Sequence, residues 1–136
     1  MRAVLDPNVL IAAALSPQGS PARILRAWLD GAFELITSPL LFEELERALS
    51  YPKLRQRISA DEAHALVALL RDEAELRPDP TDVLPARSTD PGDDYLIALA
   101  ADSRAIIVSG DHHLLELAGQ LPVQSPVEFL AVIEPT

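Results

Sequence analysis

Short apolar runs that fit buried strands alternate with helix-length segments from one end of this sequence to the other. That alternation limits the fold more than any other feature. Arg2-Ala3-Val4-Leu5 is apolar and is stopped by Asp6-Pro7-Asn8, which predicts a buried strand ending in a turn. Val9–Leu15 has the length of a helix packed on a sheet, and Ala22, Leu25, Trp28 and Leu29 recur at helical spacing before Gly31. Phe33–Thr37 predicts a second strand and Leu40–Leu49 a third helix. Ser59 and Glu62 form a capping-box pattern, opening a helix with Ala63, Leu66, Leu69 and Leu70 on one face. Asp90-Pro91 starts another helix with Tyr95–Ala101 as its body, and Ala105–Val108 reads as a buried strand. A short helix over Leu114–Ala118, a last strand at Val123 and a terminal helix follow. Ser20, Ser38 and Ser125 each precede a proline and are expected to cap helices. Leu76–Gly92 reads as a surface loop, with a short edge strand around Val83-Leu84; the basic stretch Lys53–Arg57 has no assigned element. Strands joined by helical crossovers imply α/β architecture, a parallel sheet of four or five strands sandwiched between helices. At 136 residues the chain is expected to form one such domain, 1–136.

Composition removes several classes of chemistry. No cysteine is present, which excludes disulfides, thiolate metal sites and a thiol nucleophile. The longest apolar run, Val9–Leu15, is too short to span a bilayer, and the opening residues read as a strand rather than a signal peptide. A soluble cytoplasmic domain without a membrane partner is the expectation. The 21 acidic residues outnumber 11 basic ones for a formal charge of -10, and Lys53 is the single lysine. A generic coat for nucleic acid needs clustered cations, and the charge argues against one.

The placement of certain acids says more than their number. Ligands of an open parallel sheet sit beyond the carboxyl ends of its strands, where Asp6 and Asp111 both fall. Either alone would be an ordinary turn or cap residue. On the helix over 40–49, where each residue advances about 100°, Leu41, Leu45, Ala48 and Leu49 define the apolar arc. Glu43, Glu46 and Arg47 point away from it, whereas Glu44 lies at its margin beside Ala48. After Asp90 the inner face is Leu96, Ile97 and Ala100; Asp93 lies in line with its centre and Asp94 about a quarter-turn away. A first-turn acid is favoured by the helix dipole, but that does not explain why the innermost one is an acid. Asp6, Glu44, Asp93 and Asp111 are therefore four carboxylates directed toward the core edge. Such groups repel one another and lose hydration unless a cation intervenes. Hard Mg²⁺ or Mn²⁺ suits oxygen ligands, while His64, His112 and His113 offer little for zinc or iron.

Val4-Leu5-Asp6-Pro7-Asn8-Val9-Leu10, Glu44-Leu45, Asp90-Pro91-Gly92-Asp93-Asp94 and Val108-Ser109-Gly110-Asp111 together resemble the PIN-domain ribonucleases, in order and along essentially the whole chain. The resemblance is strongest to the VapC-like toxin branch, which the closing Ser125-Pro126-Val127-Glu128-Phe129-Leu130 is similar to as well. It implies an endoribonuclease that uses one or two Mg²⁺ or Mn²⁺ ions held by Asp6, Glu44, Asp93 and Asp111. Asn8, Ser109 and Asp94 are implied as supporting residues; apart from the resemblance, Arg23, Arg26, Arg55 and Arg57 are candidates for guiding the RNA backbone. It also implies a cognate antitoxin and a homodimer. Pro7 departs from the family's usual Thr or Ser, removing a hydroxyl and a backbone N–H; a PIN fold serving as an RNA- or partner-binding module with weakened catalysis is the alternative. Phosphoryl transfer through an aspartyl phosphate fits less well, because Asn8 stands where a second acid is expected and Lys53 lies far from any strand end.

Overall fold

β1 (Arg2–Leu5) is the pivot of the molecule: Ala3, Val4 and Leu5 are each fully buried, because β1 is hydrogen-bonded on both edges and covered by helices. The computed structural model describes residues 1–81 and 90–134. After β1 come α1 (Pro7–Leu15), α2 (Ser20–Leu29), β2 (Glu34–Thr37), α3 (Pro39–Leu49), α4 (Pro52–Arg55), α5 (Ala60–Glu73) and β3 (Glu75–Leu76). A 3-10 turn at Pro91–Asp93 then leads into α6 (Asp94–Ser103), β4 (Ile106–Val108), α7 (His112–Leu115), β5 (Val123–Gln124) and α8 (Pro126–Ile133).

The five strands form one sheet in the order β3-β2-β1-β4-β5, with every pairing parallel. The chain builds outward from β1 to β2 and β3, then returns to the other edge of β1 for β4 and β5. The reversal falls between β1 and β4, where Leu5 pairs with Val108 and the Asp6 N–H donates to the Val108 carbonyl at 3.0 Å. That is the topological switch point at which such sheets open a crevice beyond their carboxyl ends. α6 packs on β1 and β4 and also meets α3, while α1, α2 and α8 form a contiguous group. Phe33 and Phe129 meet edge to face, centroids 5.1 Å apart, tying α8 into the core.

The expected α/β class and parallel sheet are present, with five strands. Several local features differ from the sequence reading. β3 lies at Glu75–Leu76, where the loop was expected to begin; both residues are exposed, so the pair carries no hydrophobic signal and is recruited by pairing with β2. The edge strand expected at Val83-Leu84 lies outside the described residues. Gly19, not Ser20, is the N-cap of α2, and no side chain caps that helix. Ser38, Ser59 and Ser125 do cap theirs, the last two in complete capping boxes. The unassigned basic stretch begins with the single-turn helix α4.

Candidate metal centre

Asp6 leaves the end of β1 and becomes the N-cap of α1, so two structural demands fix its carboxylate. One oxygen accepts the Asn8 backbone N–H at 3.0 Å, and the other accepts the Ser109 hydroxyl at 2.8 Å. Pro7 occupies the first helical position, where a missing N–H costs nothing because that donor has no intrahelical partner. Ser109 Oγ in turn accepts the Asp111 N–H at 3.0 Å. A backbone N–H can only donate, so the serine's own proton must point to Asp6. This fully buried hydroxyl thereby couples the ends of β1 and β4. We expect Ser109→Ala to lower the chemical-denaturation midpoint by about 1–2 kcal/mol equivalents, because two buried polar groups lose a partner. An unchanged midpoint would contradict that coupling.

Asp111 caps α7 by accepting the His113 N–H at 2.9 Å. Asp90 accepts the Gly92 N–H at 3.0 Å, turning the chain back so that Asp90 and Asp93 face the same space. Ligand oxygens of Asp90, Asp93 and Asp111 all lie within 4.8 Å of one another. Asp93 is 7% exposed, and its Oδ2 is buried with no hydrogen-bond partner. Burial first, then repulsion from Asp111, Asp6 and Asp90, pushes the Asp93 carboxyl up to about 7. Burial also raises Asp6, against the pull of its bonds from Asn8 and Ser109, with Asp111 adding repulsion. An orphaned buried oxygen among converging carboxylates is the chemistry that a hard divalent cation satisfies, and the all-oxygen donor set fits Mg²⁺ or Mn²⁺.

Glu44 approaches from α3. It is half-buried while Glu43, Glu46 and Arg47 are exposed, as the helical wheel predicts. Its Oε2 accepts a short hydrogen bond from the Tyr95 hydroxyl on α6. Burial raises its carboxyl, the Tyr95 bond opposes this, and Asp6 and Asp90 add repulsion. Burial, followed by the Glu44 contact, raises the Tyr95 hydroxyl as well, so it stays a proton donor. Asn8, Glu44, Arg47, Tyr51, Gly92 and Tyr95 line an open groove of about 510 Å³ beside the acids.

The converging trio is thus Asp90, Asp93 and Asp111, with Asp6 adjacent and held by hydrogen bonds and Glu44 tethered at the margin. Asp90 and Tyr95 are absent from the sequence-based set. Asp90 looked like a simple helix starter; the Asp-Pro-Gly-Asp turn, which folds residue 90 back beside 93, was its available signal. Nothing local pointed to Tyr95, whose partner is 51 residues away. Asn8 supplies Asp6 with its backbone N–H, while Asp94, half-buried at the start of α6, is not part of the trio. Asp111, His112 and His113 form a second group with ligand atoms within 4.8 Å of one another, so Asp111 is shared between the two.

The chain shares 29% identity with an uncharacterized protein of Methanocaldococcus jannaschii over 146 aligned residues, covering 98% of this chain and 92% of that protein. Its fold is similar to that of a chain in the crystal structure of VapBC2 from Rickettsia felis bound to a DNA fragment from their promoter. The TM-score is 0.63 at 12% identity, over 92% of this chain and 98% of that one. The sequence profile described as PIN domain matches residues 2–113, a span that takes in β1 through the start of α7 and every acid of the site. With that match covering most of its length, the chain belongs to the PIN-domain family.

Proposed function

We propose that this protein is a divalent-metal-dependent endoribonuclease that hydrolyses RNA phosphodiester bonds, with residues 1–136 acting as one PIN unit. The observation that carries the reading is the buried, unpartnered Asp93 Oδ2 among the oxygens of Asp90 and Asp111. In this reading Asp93 and Asp111, with Asp6 and Asp90, hold one or two Mg²⁺ or Mn²⁺ ions, and Glu44 completes the site. When bound, such an ion lowers the pKa of a coordinated water and stabilises charge on the phosphate and leaving oxygen. The protein's own residues do the positioning. Ser109 and the Asn8 N–H favour the charged form of Asp6 against its burial and fix its orientation. Tyr95 keeps a proton on its hydroxyl and orients Glu44, leaving the other Glu44 oxygen to receive a proton from the attacking water.

Membership in the PIN-domain family and the fold shared with a VapBC2 chain support a toxin role in a type II toxin-antitoxin pair. The partners proposed are an antitoxin covering the cleft, an RNA substrate and a second copy of the chain. No helix among the described residues is long and apolar enough to cross a membrane, which agrees with action in the cytoplasm. The test is incubation with a panel of single-stranded and structured RNAs in Mn²⁺, Mg²⁺ or EDTA. Cleavage is expected with either ion and not with EDTA, and Asp6→Asn is expected to remove it. Cleavage that persists in EDTA, or in Asp6→Asn, would overturn the site assignment.

A further inference from the structure

Basic residues are scarce in this protein, yet four of the 11 fall between positions 47 and 57: Arg47, Lys53, Arg55 and Arg57. No Asp or Glu interrupts that stretch, in a chain of net charge -10. All four are exposed, and none forms an ion pair among the described residues. They run from the last turn of α3 through α4 to just beyond it, so this cationic stretch begins on the helix that presents Glu44. Arg47 lies about one helical turn beyond Glu44, and both line the groove beside the acids.

Tyr51 adds a second, independent observation. It stands at the N-cap position of α4 without a side-chain capping bond, lines the same groove and is 53% exposed. A structural role would bury that ring; exposure beside cations is the combination by which proteins hold unpaired bases and their phosphates. Gly92 and Asn8 line the groove too, each within two residues of a metal-centre acid. The groove therefore leads from the cationic stretch to the acids.

We propose that Arg47, Tyr51 and the groove they line form a seat for single-stranded RNA next to the metal centre, with Tyr51 stacking on one base and the Arg47 guanidinium holding a backbone phosphate of the same strand. The inference deepens the endoribonuclease reading and rests on it for the direction in which the strand runs. It also says how an acidic protein engages a polyanion: Arg47 and Tyr51 hold the strand in a groove that Glu43 and Glu44 also line. Lys53, Arg55 and Arg57 do not line the groove and contribute only through the screened field, which reaches about a Debye length of 8–10 Å.

The experiment measures fluorescence anisotropy of a labelled twelve-nucleotide single-stranded RNA in EDTA, alongside steady-state cleavage in Mn²⁺. Tyr51→Ala and Arg47→Ala are each expected to weaken binding about tenfold or more. KM should rise in parallel with kcat little changed, and Arg47→Ala should reduce the logarithmic salt slope by about 0.7. Tyr51→Phe should bind like the parent protein, since the stacking face is kept. Arg104→Gln, exposed and lining a different depression, serves as the control and should leave affinity unaltered. Thermal unfolding of each variant separates lost binding from lost fold, and Tyr51→Leu provides an apolar replacement without a stacking ring. Unchanged affinity and KM in Tyr51→Ala and Arg47→Ala would overturn the seat even where cleavage is robust. Tyr51-dependent RNA binding without any cleavage would uphold the seat and overturn the endoribonuclease reading. A parent protein that binds an acidic peptide through Tyr51 and Arg47 but binds no RNA would overturn both.

Discussion

Asp93→Asn is expected to abolish metal-dependent RNA cleavage while making the metal-free protein more stable at pH 8. The substitution keeps the side-chain volume but removes a charge from the most unfavourable carboxylate environment in the site. In the parent protein, Asp93 is buried, faces Asp111, Asp6 and Asp90, and has one oxygen without a partner. A neutral amide removes the repulsion, and its NH₂ can donate to a neighbouring carboxylate. The same change takes an anionic ligand from the ion, so a loss of about 10³-fold or more in kcat/KM is expected. A gain of about 1–2 kcal/mol in stability at pH 8 should accompany it. Asp102→Asn, near the far end of the helix that Asp93 leads into and exposed, should change neither quantity measurably. Near-parental cleavage by Asp93→Asn would remove Asp93 from the site, and a fall in stability would show that its charge is compensated by the fold itself. The opposed effects are what distinguishes a ligand retained for function from a carboxylate retained for structure.

How far the sequence went toward this site depends on whether each feature is local. Asp93 and Glu44 were legible because a helical wheel reports which side of a helix faces inward, and both acids sit on or beside the apolar arc that the core then buries. Asp6 and Asp111 were legible because a short apolar run stopped by an acid marks the carboxyl end of a strand. The order of the sheet adds what no single segment contains: β4 pairs with β1, so Val108 comes to lie beside Leu5 and the two strand-end acids become neighbours. Asp90 escaped because it read as a simple helix start, whereas it caps a 3-10 turn in which its carboxylate comes beside Asp93. Tyr95 escaped because its contact joins α3 to α6, a tertiary fact with no periodic signature. β3 escaped for the opposite reason to β1: two exposed residues at a sheet edge have no hydrophobic pattern to read, and their conformation is set by the neighbouring strand. Ser109 illustrates partial legibility. Its position was visible, but its bridging role needed the direction of two hydrogen bonds.

Without metal, the protein should become more thermostable as pH is lowered from 8 toward 5, contrary to the usual acid destabilisation. Asp93 has a folded pKa raised to about 7 against an ordinary value of 3.8. At pH 8 it is charged in both folded and unfolded chains, and the folded protein bears the cost of burial and repulsion. As pH falls through 7 the folded carboxyl takes up a proton that the unfolded chain does not yet bind, so stability rises. The relief grows across the window between the two pKa values and is complete only below 3.8. Asp6 and Glu44, also raised, act in the same direction; Glu128, lowered by its capping bonds, works against it only at the acid end. Taking the Asp93 contribution as about 2 kcal/mol, Tm in EDTA should rise by roughly 5–10 °C between pH 8 and pH 5.5. Asp93→Asn should flatten most of that slope. Mn²⁺ should have the complementary effect: at 100 times its Kd it stabilises by about 2.7 kcal/mol, and the gain should shrink toward pH 5 as protons compete for the same oxygens. Scanning calorimetry across pH, with and without Mn²⁺, checks both dependences in one series. A Tm in EDTA that falls steadily from pH 8 to 5.5 would mean that the three acids are not held in mutual repulsion. A Mn²⁺ effect independent of pH would place the ion elsewhere.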